Sequence, residues 1–346
     1  MARLLKKVTL TLVSTVVCVG MAEFAMATWL PQAGAPENSN LGSWGNKVHQ
    51  PSKVPGLLYE LRPGARSKYR PPRQKGLVIP VKINSFGMHG PQIELEKGEY
   101  RRIAVLGDST TFGYGVETSE TYPAVLQAML TDRDQPNKYQ TLNFGVAGYS
   151  TREEAIVLEH KALKFKPDAI IVGYNLNDPD GEHAKQPLHN HFVVAKWWRY
   201  SHLVRFASET LRKQRLSKLG GGNPLKYWHA PGRANWAIVE DGFARIATIA
   251  EEEGLPVLVV IFTAGPPTKD PSTYDLKDLH AQVALEARKN GFDVLDLSPA
   301  YSKLAKEGKK SQLPHSHPNV LGQLTASDEI AKFMLGPGGP FAQVSK

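Results

Sequence analysis

The sequence predicts an α/β fold, a three-layer sandwich built on a five-stranded parallel sheet, and three observations predict it. Five short apolar runs, at 103–106, 141–144, 169–174, 256–262 and 292–297, recur at intervals that leave room for helices and look like buried parallel strands. Helical patterns fill the intervals at 118–132, 151–166, 236–253 and 276–290, and a last helix runs from Asn319 towards Leu335 before a Gly-Pro-Gly-Gly stop. Strands that alternate with helices imply an open sheet covered on both faces, and such sheets carry their sites at the carboxyl ends of the strands.

The first 30 residues form an export segment. Arg3, Lys6 and Lys7 precede an uncharged run over 8–22, the layout of a secretory signal or a membrane anchor. Ala25-Met26-Ala27 suits signal peptidase, whereas Glu23 and the apolar continuation to Leu30 suit an uncleaved anchor, and either places the protein outside the cytoplasm or on the membrane. Residues 31–75 are rich in Pro, Gly, Asn, Ser and basic side chains with little periodicity, which reads as a linker or extended arm. The main domain then covers 76–340. It opens on a strand-like piece at 77–83 and the turn residues Asn84, Gly87, Gly90 and Pro91. At 179–232 the alternation breaks, and Trp197, Trp198, Tyr200 and Phe206 mix with basic residues, which predicts a helical insertion walling the site. No nucleic-acid-binding module accompanies that mixture, so nucleic acid is not an expected partner.

Composition sets the outer bounds. With 346 residues, 41% hydrophobic and 22% charged, the chain can bury a large single core. A formal charge of +9 favours anionic surfaces without naming one. The single cysteine, Cys18, lies in the apolar N-terminal run, so the folded part has neither a disulfide nor a thiolate metal site.

Four pieces carry the chemistry, in order along the chain. Gly107-Asp108-Ser109 follows the first strand and puts a hydroxyl at a carboxyl end, beside backbone N–H groups able to stabilise negative charge. The second strand ends in Asn143-Phe144-Gly145-Val146-Ala147-Gly148, where a glycine lets backbone approach a reacting group. The third ends in Asn175-Leu176-Asn177-Asp178, amides that donate without titrating. Last comes His315-Ser316-His317-Pro318-Asn319, directly before the final helix, where a histidine can return across the sheet edge to take a proton from a serine. The two histidines lack a cluster of carboxylates or cysteines at ligand spacing, so no metal is expected.

Together these pieces resemble the SGNH, or GDSL, hydrolase superfamily over about residues 103–335, and the lead-in Ile83-Asn84-Ser85-Phe86-Gly87 looks like that of exported bacterial members. The resemblance agrees with a flavodoxin-like three-layer sandwich. It implies Ser109 as nucleophile, His317 as base, and the Ser109 N–H, the Gly148 N–H and Asn177 as the oxyanion hole, with no cofactor. Two departures stand out. Asn175 occupies a position where the family has glycine, and Pro314 stands three residues before His317, where the family carries the aspartate that orients the base. His317 then works as half of a Ser-His dyad, or His315, Asp293 or Asp296 substitutes for the aspartate. The expected activity is hydrolysis of acyl, chiefly acetyl, esters of an envelope or extracellular carbohydrate or of a small ester. A polysaccharide O-acyltransferase and a glycan-binding pseudo-hydrolase are the alternatives.

Overall fold

In the structure, a computed structural model describing residues 2–29, 46–69, 78–180, 201–313 and 316–342, the chain opens with a long apolar helix, α1 (Ala2–Trp29). Two short antiparallel pairs follow. β1 (His49–Pro51) pairs with β2 (Tyr59–Leu61), and β3 (Arg66–Tyr69) pairs with β4 (Ile79–Lys82). The main sheet begins at β5 (Tyr100–Gly107), which leads into the short α2 (Ser109–Phe112) and then α3 (Tyr122–Arg133). Next come β6 (Lys138–Asn143), α4 (Thr151–His160) and β7 (Ala169–Tyr174). After α5 (His202–Lys218) and α6 (Pro224–Trp228), α7 (Ala234–Glu253) leads to β8 (Val257–Ile261). The chain closes with α8 (Lys277–Lys289), β9 (Asp293–Asp296), α9 (Ser298–Lys306) and α10 (Val320–Leu335).

The five main strands are all parallel and ordered β6-β5-β7-β8-β9, the flavodoxin-like arrangement of an α/β three-layer sandwich. The reason the run at 103–106 is apolar throughout is visible along β5. Ala104 and Leu106 face one apolar core, Ile103 and Val105 face the other, and β7 and β8 alternate in the same way. The first core packs α4 and α7; the second packs α3 and α10. β5 runs three residues further towards its amino end than the hydrophobic run, because Tyr100, Arg101 and Arg102 pair with Lys138, Tyr139 and Gln140 of β6. Pairing, not hydrophobicity, sets that boundary.

Arg102 is 1% exposed, and all five of its N–H donors have an acceptor. Nε donates to Gln140 Oε1 at 2.7 Å, and the two terminal nitrogens donate to the main-chain oxygens of Leu95, Phe165, Glu94 and Glu96. One side chain therefore fastens the lead-in loop to the floor of the sheet.

Residues 46–69, within the segment expected as an extended arm, bury Leu57, Tyr59, Leu61 and Tyr69 in the first core. Tyr59 Oη donates to the Ala147 carbonyl at 2.7 Å, the Tyr149 hydroxyl returns a bond to the Tyr59 carbonyl, and Lys161 pairs with Glu60 at 2.6 Å. The stretch is thus part of the domain's packing. Its apolar cluster at 57–61 is a short piece between Pro55-Gly56 and Pro63-Gly64, too short for a periodicity reading. Of the segments read from the sequence, 31–45, 70–77 and 181–200 lie outside the described residues; the rest of the insertion contains α5 and α6.

Candidate active site

The strand order reverses between β5 and β7, and the first and third sequence blocks end these two strands. Gly107 closes β5 at φ +153°, where a side chain would be strained, and a Cβ there would stand 2.0 Å from Thr111 Oγ1. Asp108 then caps α2, its Oδ1 accepting the Thr110 N–H at 2.7 Å. Ser109 is thereby the first residue of a turn whose own N–H has no partner within the helix.

The second block is stitched to the same turn. Val146 N donates to the Gly107 carbonyl at 3.0 Å, and Asn143 Nδ2 donates to the Thr111 carbonyl at 2.8 Å. Gly148 lies at φ +81°, in a turn closed by the Tyr149 N–H on the Val146 carbonyl, a conformation suited to glycine. From the third block, Asn177 Nδ2 donates to Asp108 Oδ2 at 3.2 Å and Asn175 Nδ2 to Thr110 Oγ1 at 2.7 Å. Both amides of that block therefore brace the turn that carries Ser109.

The last block arrives from the other side of the sheet. Gln312 Nε2 donates to the carbonyl and the hydroxyl of Thr263, just beyond β8, at 2.9 Å each. The Leu313 N–H donates to the His317 carbonyl at 2.8 Å, and Asn319 caps α10 by accepting the Gly322 N–H at 2.9 Å. Ser316 turns through φ +67°, unusual for a residue with a side chain, and presents the imidazole inward. His317 Nε2 stands 2.7 Å from Ser109 Oγ, although 208 positions separate them in sequence. Such a pair can pass a proton directly.

Of the groups named as substitutes for the aspartate, His315 lies outside the described residues. Asp296 Oδ1 is engaged by His280 Nδ1 at 2.9 Å and by the Ser298 N–H at 2.8 Å, and Asp293 is exposed at the start of β9. An aromatic contact went unread in the sequence. The Tyr114 ring packs 4.9 Å from His317, and Tyr69 of β3 packs 4.6 Å from Tyr114, so the hairpin reaches the imidazole through one intervening ring. Tyr114 sits inside the block that drew attention to Ser109, but nothing in the sequence pairs it with Tyr69.

Beneath the pair lies a nest of buried carboxyl groups. Burial raises Asp108, against the lowering effect of its N–H and amide partners. Asp178 is raised well above the usual carboxylate range by burial and by the charges of Glu154 and Asp108, with Thr151 Oγ1 donating to its Oδ2 at 3.2 Å. Among the described residues no group of three or more His, Cys, Asp or Glu side chains is placed to hold a metal ion.

Ser109 and His317 are thus in hydrogen-bond contact at the switch point of a parallel α/β sheet, where such sheets carry their sites. The model of the GDSL-like lipase/acylhydrolase family matches residues 105–324, and the chain belongs to that family. A comparison with curated proteins found no match. Solved structures similar to this chain include an acetyl xylan esterase, AlAXEase, at 16% identity and TM-score 0.43, covering 66% of this chain and 97% of the other. TesA is 18% identical at TM-score 0.41, over 66% of this chain and 95% of the other. Axe2, an acetylxylan esterase from Geobacillus stearothermophilus, is 14% identical at TM-score 0.43, over 69% and 95%.

Proposed function

We propose that the protein is an exported ester hydrolase acting on acyl, chiefly acetyl, esters of an envelope or extracellular carbohydrate or of a small ester. The observation that carries the reading is the 2.7 Å contact between Ser109 Oγ and His317 Nε2. In the proposed cycle His317 removes the Ser109 proton as Oγ attacks the ester carbonyl, and a tetrahedral oxyanion forms. The Ser109 and Gly148 N–H groups and the Asn177 amide receive that charge. One hydrogen of Asn177 Nδ2 is held by Asp108 Oδ2, which aims the amide and leaves the other hydrogen for the oxyanion. The protonated imidazole then gives its proton to the departing alkoxide, leaving an acyl-serine. Water activated by the same nitrogen releases the acid.

The reaction needs its imidazole held in one orientation, and Tyr114 packed on the ring supports that. Export is read from α1, whose stretch Lys6–Met26 has the length and hydropathy of a membrane span. We read it as an uncleaved anchor because Glu23, near its carboxyl end, is hydrogen-bonded to the start of α5.

The test is turnover of 4-nitrophenyl acetate by the purified chain beside Ser109→Ala. The variant should lose at least about 10³-fold in kcat/KM with an unchanged circular-dichroism spectrum. Equal rates would overturn the assignment of Ser109.

A further inference from the structure

Helix α5 leaves apolar surface in water. Val204, Phe206 and Leu211 are 39%, 45% and 55% exposed. At 100° per residue, Leu203, Val204, Phe206, Ala207 and Leu211 share one arc over the first half of the helix, with Thr210 among them, and Gln214 and Lys218 continue that arc. The same 17 residues contain five Lys or Arg against one Glu. A helix with one apolar arc and an excess of positive charge has the composition of one that lies in a bilayer interface, with apolar side chains at the acyl boundary and cations on anionic headgroups.

The position of α5 supplies a second, independent argument. Glu23 of α1 holds its beginning: Oε2 accepts from Ser201 Oγ at 2.7 Å and from the Leu203 N–H at 3.0 Å, while Oε1 accepts from the His202 N–H and lies 3.1 Å from His202 Nδ1. A carboxylate on the unpaired N–H groups of a helix start is favoured by both hydrogen bonding and the helix dipole. The apolar stretch Lys6–Met26 has 21 residues. At 1.5 Å per residue this is about 31 Å, close to the thickness of a bilayer's hydrocarbon core. Glu23 stands three residues short of Met26, about 4.5 Å along the axis. The amino end of α5 is therefore tied to α1 within a turn of the depth where a spanning α1 would leave the membrane.

We infer that α5 lies along the surface of the membrane that α1 spans, docked on anionic phospholipid through its apolar arc and its Lys and Arg side chains. The inference rests on the anchor reading of α1 and is independent of the reaction assigned to Ser109. Its consequence is a catalytic domain held against the bilayer by two contacts, the anchor and the interfacial helix, rather than tethered at one point.

The test uses the full chain in liposomes of phosphatidylcholine and phosphatidylglycerol, with a nitroxide on Leu211→Cys in a Cys18→Ser background. A label on Leu285→Cys, at a residue 70% exposed on α8, serves as the water-facing control. Electron paramagnetic resonance then compares access to oxygen, which concentrates in lipid, with access to a nickel chelate, which stays in water. The expected result is a several-fold lower chelate access and higher oxygen access at position 211 than at 285, diminished when phosphatidylglycerol is omitted. Equal access at both positions, with the residue 6–26 segment still detected by intact-mass spectrometry, would overturn the inference and leave the anchor standing. A mass showing that segment removed would overturn both.

Discussion

Ser109 and His317 meet because the chain on either side of each is held by hydrogen bonds, some to main chain and some between side chains. Gly107, Asp108 and the braces from Asn175 and Asn177 fix the serine; Leu313 and Asn319 fix the histidine. The ring of Tyr114 packs against the imidazole of His317. Tyr114→Ala should cost about 3 kcal/mol of stability from lost burial and lower kcat more than it raises KM, whereas Tyr114→Phe should keep most of kcat. Steady-state kinetics beside urea unfolding separates the two effects. Asp178 gives a prediction in pH. Its folded pKa is raised, from an ordinary 3.8, so the native state holds more protons than the unfolded one, and its contribution to stability falls as pH rises above about 4. Asp178→Asn removes that titration. The stability of the variant relative to the wild type should therefore improve in urea melts as pH rises from about 4. At this scale the sequence was informative about where Ser109, Gly148 and Asn177 fall, each just after a main strand, and about His317, directly before the last helix. Tyr114, Tyr69 and the carboxyl nest were not legible, because a ring contact or a buried charge pair leaves no pattern in a single chain.

Elements carry the next level of precision. Apolar runs located all five main strands, β7 and β8 buried throughout and the edge strands β6 and β9 only in part, and the positions of α3, α4, α7, α8 and α10 followed from the intervals between them. Boundaries were less readable. The run at 118–132 breaks into a 3-10 turn over Thr118–Glu120 and α3, where Pro123 opens the regular helix. The nine residues of α9 went unread because a helix that short offers too few turns for a period. The cap of α10 has the most direct link to function. Asn319 accepts the Gly322 N–H and donates to the Lys310 carbonyl at 2.7 Å, two residues after His317. Asn319→Ala should destabilise the domain by about 1 kcal/mol and lower kcat beyond what that loss of folded protein explains. Thermal unfolding and single-turnover acylation measure these separately.

At the scale of the whole molecule, the segment before the sheet belongs to the same cooperative unit as the sheet. Leu61 is 1% exposed and shares its core with β5, β7, β8, α4 and α7. Leu61→Ala should cost about 2–5 kcal/mol and shift a single unfolding transition, seen alike by tryptophan fluorescence and far-ultraviolet circular dichroism. A first transition confined to the hairpins would show that they unfold on their own.

The buried guanidinium of Arg102 has a consequence for how this sequence tolerates change. Four of its five acceptors are main-chain carbonyls, which every amino acid supplies. The loop at 94–96 is thus fastened whatever side chains it carries, while the residue that fastens it has no replacement: lysine offers three donors from one nitrogen and cannot span the same five acceptors. A saturation library scored for folded protein should accept nearly any residue at Glu94, Leu95 and Glu96 and only arginine at position 102.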